Sequence, residues 1–153
     1  KILYFLFWIF IPILVFNIVW WKVLLSFLVM HYTAGLILSL VFQLAHIMDE
    51  ADMPLPDSNG NIKNSWAIHQ LNTTVNFAAK SKLVNWFTGG LNYQVEHHIF
   101  PNISHVHYDK IAKIVKKTSS DFNLPYNEFN TFFDAIRAHF KFLKTMGVKP
   151  QNA

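Results

Sequence analysis

Two long apolar runs occupy the first third of the chain and restrict what it can fold into. Residues 2–21 and 23–46 contain no charged side chain, and Lys22 separates them. A membrane-spanning helix needs about 20 predominantly apolar residues, and a single rod through both runs would far exceed the roughly 30 Å hydrocarbon core. The pattern therefore predicts an all-α membrane protein with a two-helix transmembrane hairpin over residues 1–47, whose tip lies at residues 20–22.

Charge is distributed unevenly and predicts the orientation of the hairpin. Lys1 and Lys22 are the only charged side chains before His46, whereas 11 of the 13 lysines and arginines follow the second run. Positive side chains are retained on the cytoplasmic side of a membrane. We therefore expect an integral, multi-pass protein whose remaining chain is cytoplasmic.

Composition excludes several classes of protein. The chain has no cysteine, so it carries no disulfide, no thiolate metal site and no iron–sulfur cluster. The net charge is +4, but the basic residues are not gathered in a patch interleaved with aromatic side chains. Nucleic acid is therefore not an expected partner, and a lipid bilayer is.

The back of the chain divides into a loop and a helical region. Residues 48–65 hold four acids, two prolines and an Asn-Gly pair, which predicts an acidic surface loop. Residues 66–153 are predicted to form a cytoplasmic helical cap, with a helix over residues 66–80 and a short helix over residues 91–100 that stops before Pro101. Two amphipathic helices follow, with apolar stripes at Ile111, Ile114 and Val115, and at Phe129, Phe132, Phe133, Ile136, Phe140 and Leu143.

Histidines in the short helix predict a metal site. Gln94, His97 and His98 stand at positions i, i+3 and i+4, so their side chains fall within about 100° of arc while Glu96 points elsewhere. Two imidazoles and a carboxamide on one turn can bind one metal or hold two side by side. Imidazole suits zinc, copper, iron and nickel, so the ligands alone leave the metal open.

Other histidines support the same prediction. His46 closes the second apolar run and His69 lies on the next helical stretch, so three separate segments bring imidazoles towards one surface. His105 and His107 follow Pro101, and they are either donors that orient the ligands or surface residues before a helix.

The residues around this cluster resemble the membrane fatty-acid desaturases. Residues 89–101, Gly-Gly-Leu-Asn-Tyr-Gln-Val-Glu-His-His-Ile-Phe-Pro, resemble the third histidine box of the family, in the Gln-x-x-His-His form of the front-end, acyl-lipid type. Residues 41–46 resemble the end of the family's fourth span, and residues 66–77 resemble the segment that leads to the third box. The first two boxes, His-x-x-x-His and His-x-x-His-His, are absent, so the resemblance is to the C-terminal half of a desaturase.

The resemblance implies a function and a set of ligands. It implies two non-haem iron ions, held by three histidine boxes at the cytoplasmic membrane face, that use O₂ and two electrons to remove two hydrogens from an acyl chain. It assigns metal ligation to His97, His98, Gln94, His46 and His69. Asn76, His105 and His107 are the residues expected to orient those ligands.

Partners and alternatives follow from the same resemblance. It implies a lipid or acyl-CoA substrate and an electron donor such as cytochrome b5 or a ferredoxin. A related membrane di-iron hydroxylase or monooxygenase, and a non-catalytic membrane metal-binding module, are the alternative readings. Five ligands cannot fill two irons of about six positions each, so we expect the chain alone to be inactive and to hold well under two irons.

Overall fold

The computed structural model describes residues 1–52 and 54–148, and most of these are helical. The chain divides into two compact units, Lys1–Ser39 and Leu40–Ala153. Met53 of the expected acidic loop and the last five residues of the expected helical cap lie outside the described residues.

The first apolar run forms a shorter helix than expected. Helix α1 covers Ile2–Leu14, with a π-helical turn at Leu6–Phe10. Asn17 then adopts a left-handed conformation with φ of 49°, which asparagine tolerates better than most residues and which ends the helix. The prediction of a helix through residue 21 is therefore wrong. Thirteen residues rise about 20 Å, which is short of the hydrocarbon thickness.

The second apolar run forms one long helix. Helix α2 covers Trp20–His46, 27 residues that rise about 40 Å. Within the described residues it is the one helix long and apolar enough to cross a membrane. It begins three residues before the predicted start, so Trp21 and Lys22 lie in its first turn and not at a hairpin tip. The break in the chain lies instead between Leu14 and Trp20, and a two-span hairpin stays a prediction.

A histidine joins the two helices of the first unit. His31 of α2 bonds through Nδ1 to the backbone carbonyl oxygen of Phe27, 2.8 Å away, and its Nε2 lies 2.5 Å from the hydroxyl oxygen of Tyr4 in α1. Nε2 therefore connects the two helices, while Nδ1 bonds within α2 and fixes the ring.

The second unit contains the remaining short elements. They are α3 (Trp66–Thr73), β1 (Asn76–Phe77), α4 (Lys82–Thr88), α5 (Gln94–Ile99), a 3₁₀ turn (His105–His107), α6 (Tyr108–Asp121), β2 (Glu128–Phe129) and α7 (Phe132–Met146). The short helix predicted to stop before Pro101 is confirmed, as are the two amphipathic helices near the end of the chain.

The helix predicted over residues 66–80 is wrong beyond Thr73. The hydroxyls of Thr73 and Thr74 donate to backbone carbonyls one turn earlier, and Thr74 has extended backbone angles. β-Branched residues that bond back to the preceding turn weaken helix continuation. The chain then forms β1, which pairs in parallel with β2. Phe129, expected in the last helical stripe, lies in β2.

The core of the second unit holds α5 in place. Leu44, Met48 and Phe77 are completely buried in the larger apolar cluster, and each such side chain stabilises the fold by about 1.5–3 kcal/mol. A second cluster joins Leu71 of α3, Val95 of α5 and Val115 of α6. Helix α5 therefore packs against α3 on one side and α6 on the other.

Candidate metal centre

Three histidine rings lie side by side in the second unit. His46 ends α2, while His97 and His98 come from α5. The ring centroid of His98 lies 5.0 Å from that of His46 and 5.6 Å from that of His97. The structure therefore brings together residues 51 and 52 positions apart in the sequence.

The Nδ1 atom of each ring faces an oxygen atom. Nδ1 of His98 lies 3.0 Å from Oε1 of Gln70, and Nδ1 of His46 lies 3.4 Å from the carbonyl oxygen of Thr73. Nδ1 of His97 lies 3.3 Å from the hydroxyl of Tyr108. Because carbonyl oxygens only accept, these contacts favour the tautomer of His46 and His98 that has the proton on Nδ1 and the lone pair on Nε2.

His98 is in the neutral form that metals require. Burial, followed by the proximity of His46 and His97, lowers the pKa of His98 from 6.5 to about 4. The ring is consequently uncharged at neutral pH, and it needs no proton release before it binds a cation.

The other two predicted ligands, Gln94 and His69, lie on α5 and α3. Gln94 is buried in the first turn of α5, and His69 is half-buried in α3, next to Gln70. Nδ1 of His69 is buried without a hydrogen-bond partner among the described residues. Within residues 1–52 and 54–148, no three His, Cys, Asp or Glu side chains are arranged to hold one metal ion.

The residues expected to orient the ligands occupy different places. His105 and His107 are exposed in the 3₁₀ turn, and the side chain of His105 packs against Gly90. Asn76 is completely buried, but its hydrogen bonds go to Glu96, Tyr126 and the backbone of Val95. None of these three hydrogen bonds of Asn76 is with a histidine.

A buried polar cluster lies behind α5. Oε2 of Glu96 accepts from Nδ2 of Asn76 at 2.7 Å, and Oε1 accepts from the Tyr126 hydroxyl at 2.8 Å. Burial raises the pKa of the Glu96 carboxyl, and these two hydrogen bonds oppose the rise. Burial and the carboxyl of Glu96 also raise the pKa of the Tyr126 hydroxyl, so the hydroxyl stays protonated and donates.

Residues 1–130 match the family model described as fatty acid desaturase. The chain belongs to this desaturase family. Together with the Gln-x-x-His-His pattern on α5, the match confirms the resemblance drawn from the sequence.

Several curated desaturases are similar to the chain. The sn-1 linoleoyl-lipid 6-desaturase of Arthrospira platensis is 43% identical over 123 residues, which cover 80% of this chain and 33% of the relative. The acyl-lipid (8-3)-desaturase of Mortierella alpina is 42% identical, over 85% of this chain and 29% of the relative. The probable Delta(5) fatty acid desaturase C of Dictyostelium discoideum is 34% identical, over 96% of this chain and 33% of the relative.

The chain spans about a third of the length of these desaturases. No solved structure gives a significant match to it.

Three functional contacts of this desaturase-family chain were missed from the sequence. Gln70 contacts His98 and Tyr108 contacts His97, and Tyr126 contacts Glu96, 30 residues away in the sequence. Gln70 carried a signal, because it lies beside His69 in the segment that leads to the box. The contacts of Tyr108 and Tyr126 depend on tertiary packing and have no local signature.

The donor set fits a nitrogen-ligated metal such as non-haem iron. Two of the three grouped imidazoles hold their proton on Nδ1, and the third has an oxygen partner there, so the Nε2 atoms are the ones available to a metal. The unpartnered Nδ1 of His69 is a further buried nitrogen of the kind a ligand would satisfy. The residues present are therefore compatible with the cofactor that the family implies.

Proposed function

We propose that this chain provides part of the di-iron centre of a membrane fatty-acid desaturase. In the reaction, two C–H bonds of neighbouring methylenes break and a C=C bond forms. O₂ takes the two hydrogens, two electrons from a donor and two protons, and is reduced to two water molecules. Iron supplies the O₂ activation and hydrogen abstraction, which no side chain can perform.

The observation that carries the proposal is the grouping of three imidazoles whose Nδ1 atoms face oxygen acceptors. His98 lies between His46 and His97, with centroid separations of 5.0 and 5.6 Å. In metal sites, a ligating histidine almost always uses its second nitrogen for such a hydrogen bond, which fixes the ring and its tautomer. All three grouped imidazoles have an oxygen atom at Nδ1, which favours metal ligation over an incidental grouping of histidines.

Two further residues complete the proposed ligand set. Gln94 offers a carboxamide oxygen from the same face of α5, and His69 offers an imidazole from α3. The role of the protein residues is to hold these donors in place. Five donors are fewer than two irons require, so the chain is proposed to supply only part of the ligands.

The substrate and the partners follow from the relatives. The relative from Arthrospira is named a linoleoyl-lipid desaturase and that from Mortierella an acyl-lipid desaturase, which supports an acyl-lipid substrate, with acyl-CoA as the alternative carrier. Helix α2 supports an integral membrane protein, and the lysine distribution supports a metal site on the cytoplasmic face. The two apolar runs of the sequence support the proposal of more than one span. Cytochrome b5 or a ferredoxin is the proposed electron donor.

The full-length gene that includes this chain, expressed in a host of known lipid composition, tests the proposal. Mass spectrometry of the total fatty acids should show a new double bond, and His98→Ala should abolish it while the protein level is unchanged. His139→Gln is the control, because His139 is a buried histidine of the same unit that bonds to the backbone oxygen of Ile47. That variant should keep the product.

Other outcomes would contradict the proposal. A hydroxylated product that disappears with His98→Ala would instead identify a hydroxylase that uses the same site. Lipids that are identical with and without His98 would support a non-catalytic metal-binding module. A lipid change lost equally in His139→Gln would show that the assay reports folding and not the metal site.

A further inference from the structure

Helix α5 is too short to fix its own orientation. It has six residues, Gln94–Ile99, and an isolated helix of that length is not stable in water. The directions of the His97 and His98 imidazoles therefore depend on the rotation of α5 about its axis. A rotation of about 10° displaces a ring nitrogen 6–7 Å from the axis by about 1 Å, which is beyond the tolerance of a functional site.

Glu96 lies on the face of α5 opposite the candidate ligands. Residues advance by about 100° around a helix, which places Glu96 about 150° from the middle of the arc formed by Gln94, His97 and His98. Glu96 is 0% exposed. Any contact that fixes Glu96 therefore fixes the direction in which the histidines point.

Both carboxylate oxygens of Glu96 are fixed by side chains from other elements. Asn76 of β1 donates to Oε2 at 2.7 Å, and Tyr126, two residues before β2, donates to Oε1 at 2.8 Å. Asn76 and Tyr126 also contact each other, with 2.8 Å between Nδ2 and the hydroxyl oxygen. Oδ1 of Asn76 accepts from the backbone N–H of Val95 in the first turn of α5.

The backbone of the strand pair supports the same arrangement. β1 and β2 pair in parallel with Asn76 opposite Glu128, and the N–H of Asn76 donates to the carbonyl oxygen of Asn127 at 3.0 Å. Tyr126 is thereby held next to Asn76 by the strand register. We call Glu96, Asn76 and Tyr126 the rear cluster.

Burial of a carboxyl is a costly way to achieve stability alone. Replacing a buried charged group by a well-packed apolar side chain is often neutral or stabilising, whereas a satisfied polar network specifies one geometry. The rear cluster satisfies both oxygens of Glu96, so it specifies a geometry. The histidine pair lies on the same six-residue helix, so the hydrogen bonds of Glu96 fix the rotation of α5 and with it the direction of the two rings.

We propose that the rear cluster positions the histidine pair of the candidate metal centre, with Tyr126 and Asn76 as positioning residues that act through Glu96. The inference rests on the proposed function only in taking His97 and His98 as ligands. The part of the proposal that does not depend on a metal is that Tyr126 controls the orientation of these two rings.

Nitrogen NMR of histidine side chains tests, without any metal, whether Tyr126 orients His97 and His98. The chain is labelled with ¹⁵N-histidine in detergent micelles and compared with Tyr126→Phe, which removes only the hydroxyl. We expect the His97 and His98 resonances to shift or broaden, while those of His31 and His139 stay in place. Unchanged His97 and His98 resonances in a folded Tyr126→Phe protein would overturn the proposal.

Tyr93→Phe is the matched control. Tyr93 is also a buried tyrosine of the second unit, and its hydroxyl donates to the backbone oxygen of Ala79 at 2.6 Å. Its loss removes one comparable hydrogen bond outside the rear cluster, so the His97 and His98 resonances should not move. Equal perturbation by the two variants would assign the effect to general loss of stability and overturn a positioning role.

Glu96→Gln decides the case in which Tyr126→Phe does not fold. The amide keeps one acceptor oxygen in place of two, so the His97 and His98 resonances should shift, by less than in Glu96→Leu. If Glu96→Gln displaces the His139 resonance as well, or leaves His97 and His98 in place, the rear cluster has no specific positioning role.

Cobalt titration followed by visible absorption provides the metal-dependent arm. We expect Tyr126→Phe to weaken Co²⁺ binding by about tenfold or more, and Tyr93→Phe to leave it within about twofold. If the unmodified chain binds no Co²⁺, the proposed metal function fails, while the NMR arm still decides whether Tyr126 orients the rings.

Discussion

Gln70 provides the most direct test of how the histidine group is prepared for a metal. Its Oε1 lies 3.0 Å from Nδ1 of His98, and both side chains are half-buried. The bond keeps the proton of His98 on Nδ1 and the lone pair on Nε2. In Gln70→Leu the acceptor is lost, and the proton is free to move to Nε2, where it blocks metal binding.

The size of the effect follows from the lost hydrogen bond. A buried donor left without its acceptor costs about 1–3 kcal/mol, and 1.4 kcal/mol corresponds to a tenfold change in affinity. Binding must return the proton of His98 to Nδ1 at about that cost. We therefore expect Gln70→Leu to weaken Co²⁺ or Fe²⁺ binding by about 10- to 100-fold, as measured for other residues that hydrogen-bond a ligating histidine.

Gln70→Glu separates this reasoning from a packing effect. A carboxylate also accepts from Nδ1 and raises the basicity of the ring, so affinity should be retained or increased. Gln43→Leu, the same substitution one turn before His46 in α2, is the matched control for metal titration in detergent micelles. Equal losses for Gln70→Leu and Gln70→Glu would refute the argument, because only the shape of the side chain would then matter.

Two further predictions concern stoichiometry and backbone strain. Metal analysis of the purified chain after iron loading should give well under two irons per chain, since five candidate donors cannot fill two irons, and a full complement of two would contradict this ligand count. Gly90→Ala should destabilise the chain by several kcal/mol in thermal or urea unfolding, because φ is +84° and a Cβ would lie 2.6 Å from that of His105. Gly60→Ala has φ of +81° but open space around it, so it should cost only about 1–2 kcal/mol; equal costs would contradict the steric part of the argument.

The face of α5 that carries the candidate ligands was predictable because its signal is local in the sequence. Gln94, His97 and His98 fall on one helical face by spacing alone, and Pro101 marks where the helix must stop. The structure agrees, with α5 ending at Ile99. His46 was also predictable, as the polar end of an apolar helix.

The errors arose where one residue outweighed a compositional pattern. Apolar composition predicted a helix through residue 21, but the left-handed conformation of Asn17 ends α1 early. Helical propensity between residues 66 and 80 did not predict a strand at Asn76. That strand depends on pairing with β2, whose residues lie more than 50 positions later. Pairing between such distant segments leaves no period in the sequence.

The two faces of α5 explain why a two-residue strand pair matters to a helical protein. One face carries the imidazoles, and the other carries Glu96, whose partners Asn76 and Tyr126 lie 50 residues apart. Only the parallel pairing of β1 and β2 brings those partners together behind α5. The orientation of the side chains in this five-residue histidine box therefore depends on a segment that begins more than 20 residues after the box. For this reason a match to the box motif alone identifies the candidate ligands but does not establish that their side chains are oriented to bind one metal centre.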